Sequence, residues 1–320
     1  VSAFTRVARP VILAASRSHR LRHSAERMPI ARDVVSRFVP GETVDDALAA
    51  VTALRESDRL VSIDYLGEDV TDVDAAEATV KAYLRLLDAL GARGENRESV
   101  VRPLEVSLKL SALGQALPID GDKIAFENAH AICQRAQQVG AWVTIDAEDH
   151  TTTDSTLAIV RQLRTGFAWV GTVLQAYLKR TEADCAEFAA SGARIRLCKG
   201  AYDEPASVAY RDAGEVTDSY LRCLRTLMAG NGYPMVASHD PAVITAAGEL
   251  AREFGRETDG FEYQMLYGIR DAEQRRLAAQ GNHVRVYVPF GTQWYGYFVR
   301  RLAERPANLM FFLRALTHSH

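Results

Sequence analysis

Tyr295-Gly-Tyr-Phe-Val-Arg-Arg-Leu-Ala-Glu304 is the stretch most suited to chemistry. As a helix it sets Tyr297, Arg300, Arg301 and Glu304 three or four residues apart on one face, because each residue advances about 100° around the axis. Two adjacent guanidinium groups repel each other unless an anion lies between them, and their planar forks match a carboxylate or a phosphate. This face suits the clamping of an acid substrate. The competing reading is an exposed amphipathic helix with solvated arginines, the commoner fate of charged side chains.

The elements that must position this helix read as a repeated alternation. Apolar, β-branched runs fall at 59–66, 104–110, 142–145, 170–174, 195–198, 235–237, 261–266 and 284–288. Each precedes a stretch with apolar residues at helical spacing: 73–90, 123–139, 154–164, 183–190, 217–229, 242–254, 271–279 and finally the arginine-bearing helix. Short strands alternating with amphipathic helices imply a parallel sheet covered by helices, since parallel strands need a crossover. Eight such units over about 260 residues match an α/β fold of the (β/α)8 TIM-barrel type. An open doubly wound sheet is the alternative, but its Gly-x-Gly-x-x-Gly turn is absent. Ahead of the first unit, 28–38 and 43–56 read as helices split by Pro40-Gly41, the second opening on Thr43 with Asp45 and Asp46 in its first turn. The expected organisation is a basic arm with helices over 1–57, a barrel over 58–308 and a tail over 309–320.

The 320 residues, 48% hydrophobic and 25% charged, suffice for one large core. A net charge of -3 gives no electrostatic reason to expect nucleic acid, so a small-molecule ligand is the default. Cys133, Cys185, Cys198 and Cys223 stand singly, which argues against a zinc site or a disulfide framework and fits a reducing compartment. No apolar run reaches the roughly 20 residues of a membrane-spanning helix, and a cytoplasmic location is expected. The first 27 residues hold six Arg against Glu26. That balance suits a presequence or a membrane-surface helix, or a basic helix packed on the body of the fold. His130, His150, His239 and His283 lack metal-ligand spacing, and no Gly-x-Ser-x-Gly elbow marks a serine hydrolase.

In such a barrel the active site lies at the C-terminal ends of the strands. The polar residues closing the apolar runs are Asp64 and Glu68, Lys109, Asp146 and Glu148, Gln175, Arg196 and Lys199, Ser238, His239 and Asp240, Gln264, and Tyr287. So many charges must pair with one another or face a polar ligand, because unpaired buried charge is costly. In Arg196-Leu-Cys-Lys-Gly-Ala-Tyr202, Gly200 and Ala201 leave room for a flat or phosphorylated ligand, and Arg196 and Lys199 supply positive charge. Ser238-His-Asp240 before Pro241 opens a helix whose free N–H groups could hold phosphate.

These blocks carry a resemblance. Leu66-Gly67-Glu68, Ser107-Leu-Lys-Leu-Ser111, Ile145-Asp-Ala-Glu148, Leu174-Gln-Ala-Tyr177, Arg196 to Tyr202, Phe261-Glu-Tyr-Gln-Met-Leu266, Arg285-Val-Tyr-Val-Pro289 and Tyr297 to Glu304 occur together in this order. From about Phe38 to Asn308 the sequence resembles the bacterial monofunctional proline dehydrogenases. The resemblance implies FAD on a distorted (β/α)8 barrel whose last helix lies over the mouth. It also implies oxidation of L-proline to Δ1-pyrroline-5-carboxylate, the first step toward glutamate, with electrons passed to a membrane quinone. By the same matching, Arg300 and Arg301 clamp the carboxylate, and Tyr287, Tyr297 and Leu266 wall the ring. Lys109 and Asp146 complete the polar floor, and Glu68 is the gate that pairs with Arg300 when the site opens. Gln175, Arg196, Lys199, Gly200, Ala201, Tyr202, Ser238, His239, Gln264 and Leu266 fall at cofactor positions.

Cys198 departs from the family's usual apolar β-branched residue, and Ser238-His-Asp240 from its Thr-His-Asn or Thr-His-Asp; neither removes a donor. With no aldehyde dehydrogenase half in this sequence, the product is expected to pass to a separate pyrroline-5-carboxylate dehydrogenase. The group that takes the amine proton stays open among Lys109, Asp146 and solvent. Two other classes compete: a class I aldolase using Lys109 or Lys199 as a Schiff base, and a non-catalytic barrel that binds small acids.

Overall fold

The computed structural model describes residues 35–94 and 101–304, and side chains as far as Val299. The basic arm, most of the expected 28–38 helix and the 309–320 tail lie outside the described residues. The chain runs α1 (Val44–Arg55), β1 (Leu60–Tyr65), α2 (Val73–Gly91), β2 (Leu104–Leu108), α3 (Gly121–Val139), β3 (Trp142–Ile145), α4 (Thr153–Gly166), β4 (Gly171–Gln175) and α5 (Thr181–Ala190). It continues through β5 (Arg194–Cys198), α6 (Ala213–Ala229), β6 (Tyr233–Ala237), α7 (Pro241–Glu253), β7 (Glu262–Leu266), α8 (Asp271–Ala279), β8 (Val284–Phe290) and α9 (Trp294–Glu304).

The eight strands form a closed parallel barrel in chain order, with β8 paired back to β1 from Leu60↔Arg285 to Tyr65↔Phe290. Closure eliminates the open-sheet alternative. Every expected strand is present. The helix expected at 217–229 begins earlier, at Ala213, because the Asp212 carboxylate accepts from the N–H groups of Gly214 (2.8 Å) and Glu215 (3.2 Å) and so nucleates a turn despite the glycine. At α1 the capping box is complete, with Asp46 N donating to Thr43 Oγ1 and Thr43 N to Asp46 Oδ2.

Strand side chains alternate between two environments. Val61, Ile63, Val106, Leu108, Val143, Ile195, Leu197, Val286 and Val288 join the apolar layer under the helices. The residues between them are polar and equally buried: Ser62, Asp64, Glu105, Ser107, Thr144, Arg194, Arg196, Glu262, Gln264 and Arg285. The barrel lumen is therefore an ionic core, and the apolar core is the shell between strands and helices.

The last helix does not flank its strand. Trp294, Tyr295, Tyr297, Phe298 and Val299 pack with Leu66 past the end of β1, with Ile269 in the β7–α8 turn, with Tyr287, and with Val35, Phe38 and Val39. These contacts seat α9 across the C-terminal mouth. The outer seam between β8 and β1 is covered by α1 instead, through Ala47, Ala50, Val51 and Leu54. Among the described residues no helix is long and apolar enough to cross a membrane.

Candidate active site

Arg196 is the hub of the mouth. A guanidinium offers five N–H donors, and each has an acceptor here. Nε donates to Gln264 Oε1 (2.5 Å), Nη1 to Asp146 Oδ1 (2.6 Å) and Ser107 Oγ (2.8 Å), and Nη2 to Ser62 Oγ (3.0 Å) and Glu105 Oε1 (2.9 Å). Partners from β1, β2 and β7 and from the residue after β3 thus converge on one side chain of β5, which only the lumen of a closed barrel allows. Its carbon lies 5.3 Å from the centre of the Tyr287 ring. The Tyr287 hydroxyl donates to Asp146 Oδ2 at 2.8 Å. Burial, and then the charges of Asp146 and Asp64, hold that phenol well above its ordinary value, so it acts as a neutral donor.

Beside this hub Lys109 Nζ lies 2.7 Å from Asp64 Oδ2. Burial alone would depress the lysine, but the carboxylates of Asp64, Asp146 and Glu68 outweigh it and hold the ammonium above its usual value. A Schiff-base lysine needs the opposite shift. The other candidate, Lys199, is tied to Asp240 Oδ2 (2.9 Å) and Thr217 Oγ1 (3.0 Å). Both candidate lysines of the aldolase reading are thus held in ion pairs.

Next to Lys109, Glu148 accepts from Ser111 N (3.0 Å) and the Ser111 hydroxyl. Burial raises its carboxyl to about 7 against the pull of those donors. Gln175 Nε2 donates to the Glu148 carbonyl at 2.8 Å. His239 accepts the Leu266 N–H on Nε2 (3.0 Å), fixing β7 to the β6–α7 loop, and its carbonyl accepts from Arg270 (2.6 Å).

Two local features add to the expectations. Gly200 has φ +114, and the place a Cβ would take is filled by the Tyr177 ring, so glycine is required there by Tyr177 as well as by the left-handed backbone. At the start of α7 the Asp240 carboxylate already accepts the Ala242 N–H (3.0 Å), so one of the expected free donors is capped by the chain itself.

The structure brings Lys109, Asp146, Arg196, Gln264 and Tyr287 together, with Glu68 near enough to act on Lys109 and Glu148. Lys199, Gly200, Ala201, Tyr202, Ser238, His239 and Leu266 are half-buried around the β5, β6 and β7 ends, and Tyr297 packs in the cluster that includes Tyr287. The side chains of Arg300 and Arg301 lie outside the described residues. Reading only strand ends misses Glu105, Arg194, Glu262 and Arg285 within the strands, and Glu204, whose carboxylate accepts from His150 N (2.9 Å) and Tyr177 Oη (3.3 Å) to tie two mouth loops together. The signal for the first four is visible in Glu105-Val-Ser-Leu-Lys109, Arg194-Ile-Arg196, Glu262-Tyr-Gln264 and Arg285-Val-Tyr287, where polar residues recur at every second position.

Residues 47–314 match the family model described as proline dehydrogenase. The chain is 39% identical over 287 residues to a proline dehydrogenase of Deinococcus radiodurans, covering 89% of this chain and 90% of that protein. It is also 39% identical over 282 residues to proline dehydrogenase 1 of Bacillus subtilis strain 168, covering 88% and 89%. Among solved structures, proline utilization A from Bdellovibrio bacteriovorus inactivated by N-propargylglycine superposes with a TM-score of 0.77 at 25% identity. That match covers 85% of this chain and 32% of the larger protein, so the chain spans about a third of it. With both the barrel and the mouth cluster in place, the extent of these matches makes the chain a member of the proline dehydrogenase family.

Proposed function

We propose that this protein oxidises L-proline to Δ1-pyrroline-5-carboxylate with FAD as its cofactor, on the way to glutamate, and that its electrons leave to a membrane quinone. The observation that carries this reading is the charge balance of the lumen. Lys109 is matched by Asp64, and Arg196 by Asp146 and Glu105. An anionic substrate at the mouth therefore needs positive charge from elsewhere, since an uncompensated carboxylate there would be costly. Helix α9, seated on the mouth, carries arginines at 300 and 301, one turn on from Tyr297.

On this reading Arg300 and Arg301 hold the substrate carboxylate, and Glu68 is the gate that pairs with Arg300 when the site opens. Tyr287, Tyr297 and Leu266 wall the pyrrolidine ring, and Lys109 and Asp146 form the polar floor. Two guanidinium forks and two aromatic faces leave a small ring little freedom, which is how binding energy becomes reaction geometry. The donor set fits a flavin nucleotide: Gln175, Arg196, Lys199, Gly200, Ala201, Tyr202, Ser238, His239, Gln264 and Leu266 line neighbouring strand ends, and half-exposed Lys199 offers charge to a phosphate. When bound, that group supplies the acceptor for the hydride leaving the carbon beside the ring nitrogen. Lys109, held as an ammonium, has no lone pair for the amine proton, which leaves Asp146 or solvent. The barrel unit is 58–308, flanked by the 1–57 arm and the 309–320 tail. The protein works in the cytoplasm with peripheral membrane contact, and a separate pyrroline-5-carboxylate dehydrogenase takes the product.

An absorbance spectrum tests the reading. The purified protein should be yellow and should bleach when proline is added anaerobically. Arg300→Met and Arg301→Met should each raise KM for proline by on the order of 10², since a charge-assisted contact contributes about 1.5–3 kcal/mol, and should leave the flavin bound. Unchanged proline kinetics in both variants would remove the clamp.

A further inference from the structure

Behind Arg196 the ionic core continues toward the floor of the barrel. Glu105 uses one carboxylate oxygen on Arg196 Nη2 (2.9 Å) and the other on Arg194 Nη2. Among the described residues Glu105 is the carboxylate within ion-pair distance of Arg194. The Arg194 guanidinium is otherwise held by the face of Trp142, 3.6 Å from the ring centre, by the Trp169 carbonyl (3.3 Å) and by Met235 Sδ (3.3 Å), while its Nε has no hydrogen-bond partner among the described residues. Glu105 is fully buried and both arginines nearly so. A charge change at this depth is screened little by solvent or salt and acts on its neighbours at low effective dielectric.

We propose that Glu105 and Arg194 are a positioning pair that sets, through Arg196, the electrostatic level at the flavin and hence its reduction potential. The inference rests on the reading of the mouth as a flavin site. Glu105 pins the Nη2 edge of Arg196, while Asp146 and Gln264 pin its other edges, so the guanidinium cannot rotate to relieve a change behind it. Its charge at the mouth is offset by whatever net charge lies beneath. Removing the Glu105 charge leaves two facing guanidinium groups and an excess of one positive charge, which favours the electron-rich reduced flavin. Removing the Arg194 charge leaves Glu105 to Arg196 and Arg285, one negative charge in excess of the wild-type balance, and favours the oxidised flavin.

Spectroelectrochemical titration of the flavin-loaded protein is the test. Glu105→Gln should move the potential upward and Arg194→Gln downward, each by a tenfold or larger change in the oxidised-to-reduced equilibrium, about 30 mV for a two-electron couple. The double variant, which removes one charge of each sign, should return to the wild-type potential, and it keeps the test available should a single variant fail to fold. Structural damage alone would move both single variants the same way. Potentials that do not move, that move in one direction in both variants, or that shift tenfold in the double variant overturn the inference and leave the flavin site standing. A wild-type protein that is colourless and takes up no FAD overturns the site and the inference with it.

Discussion

Glu148 shows how one buried side chain ties stability to pH. Its carboxyl is raised from 4.5 to about 7, chiefly by burial, with Ser111 pulling the other way. A group whose folded value lies above its unfolded one favours folding fully below the unfolded value, and that contribution is lost as pH rises through the folded value. The wild-type protein should therefore lose stability between about pH 4.5 and 7 relative to Glu148→Gln, by on the order of 3 kcal/mol once both values are passed. Urea titrations of both proteins at pH 5 and pH 8 check this, and parallel pH profiles would contradict it. At this scale the sequence is informative about which residues meet and less so about why. Asp146, Arg196, Gln264 and Tyr287 were legible as strand-end polar groups and do converge. Gly200 was legible as a place without a side chain, but the neighbour that excludes one is Tyr177, which comes from the end of the adjacent strand and is tied to Glu204. Strand ends alone do not point to Glu105 and Arg194, because a charge inside or just before an apolar run looks like noise until the lumen is known to be polar.

Among elements, the β5–α6 connection and α9 define the mouth. Gly200→Ala would force a Cβ into the Tyr177 ring at φ +114 and push that ring toward Glu204. The expected outcome is a local cost of about 1–3 kcal/mol from the strained backbone and a flavin Kd weakened tenfold or more, read by fluorescence on FAD titration. A variant that binds FAD as tightly as wild type would mean the shelf formed by Gly200 and Tyr177 is not part of the cofactor site. Strand and helix order were legible throughout because periods of 2 and 3.6 are local properties of the sequence. The seating of α9 was legible through the resemblance alone, since its pattern by itself fits a flanking helix as well. What excludes that place is α1, which covers the β8–β1 seam from the other end of the chain.

For the whole molecule the dominant fact is a lumen built of ions. Arg285 is completely buried, donates to Glu262 through Nε (2.7 Å) and Nη2 (2.9 Å), and also reaches the carbonyls of Val61 (3.0 Å) and Pro103 (3.3 Å) across the closing seam. Arg285→Met leaves Glu262 uncompensated and should cost about 3–5 kcal/mol, measured by denaturant unfolding. Because the pair is buried, the loss should be the same in low and high salt; a loss that salt abolishes would place the interaction at the surface.

The way β8 closes on β1 also bears on how the chain becomes a barrel in the first place. The acceptors of Arg196 come from both ends of the sequence, so a growing chain that has made five strands still lacks the Gln264 acceptor, and one with seven strands still lacks Arg285 for Glu262. Partial cylinders would strand naked charge in their interior, and water must fill them until the final strand arrives. Nucleation from one half is thus disfavoured, long-range closure has to come before the reward, and folding is expected to be slow and all-or-none, with severed halves unable to stand alone.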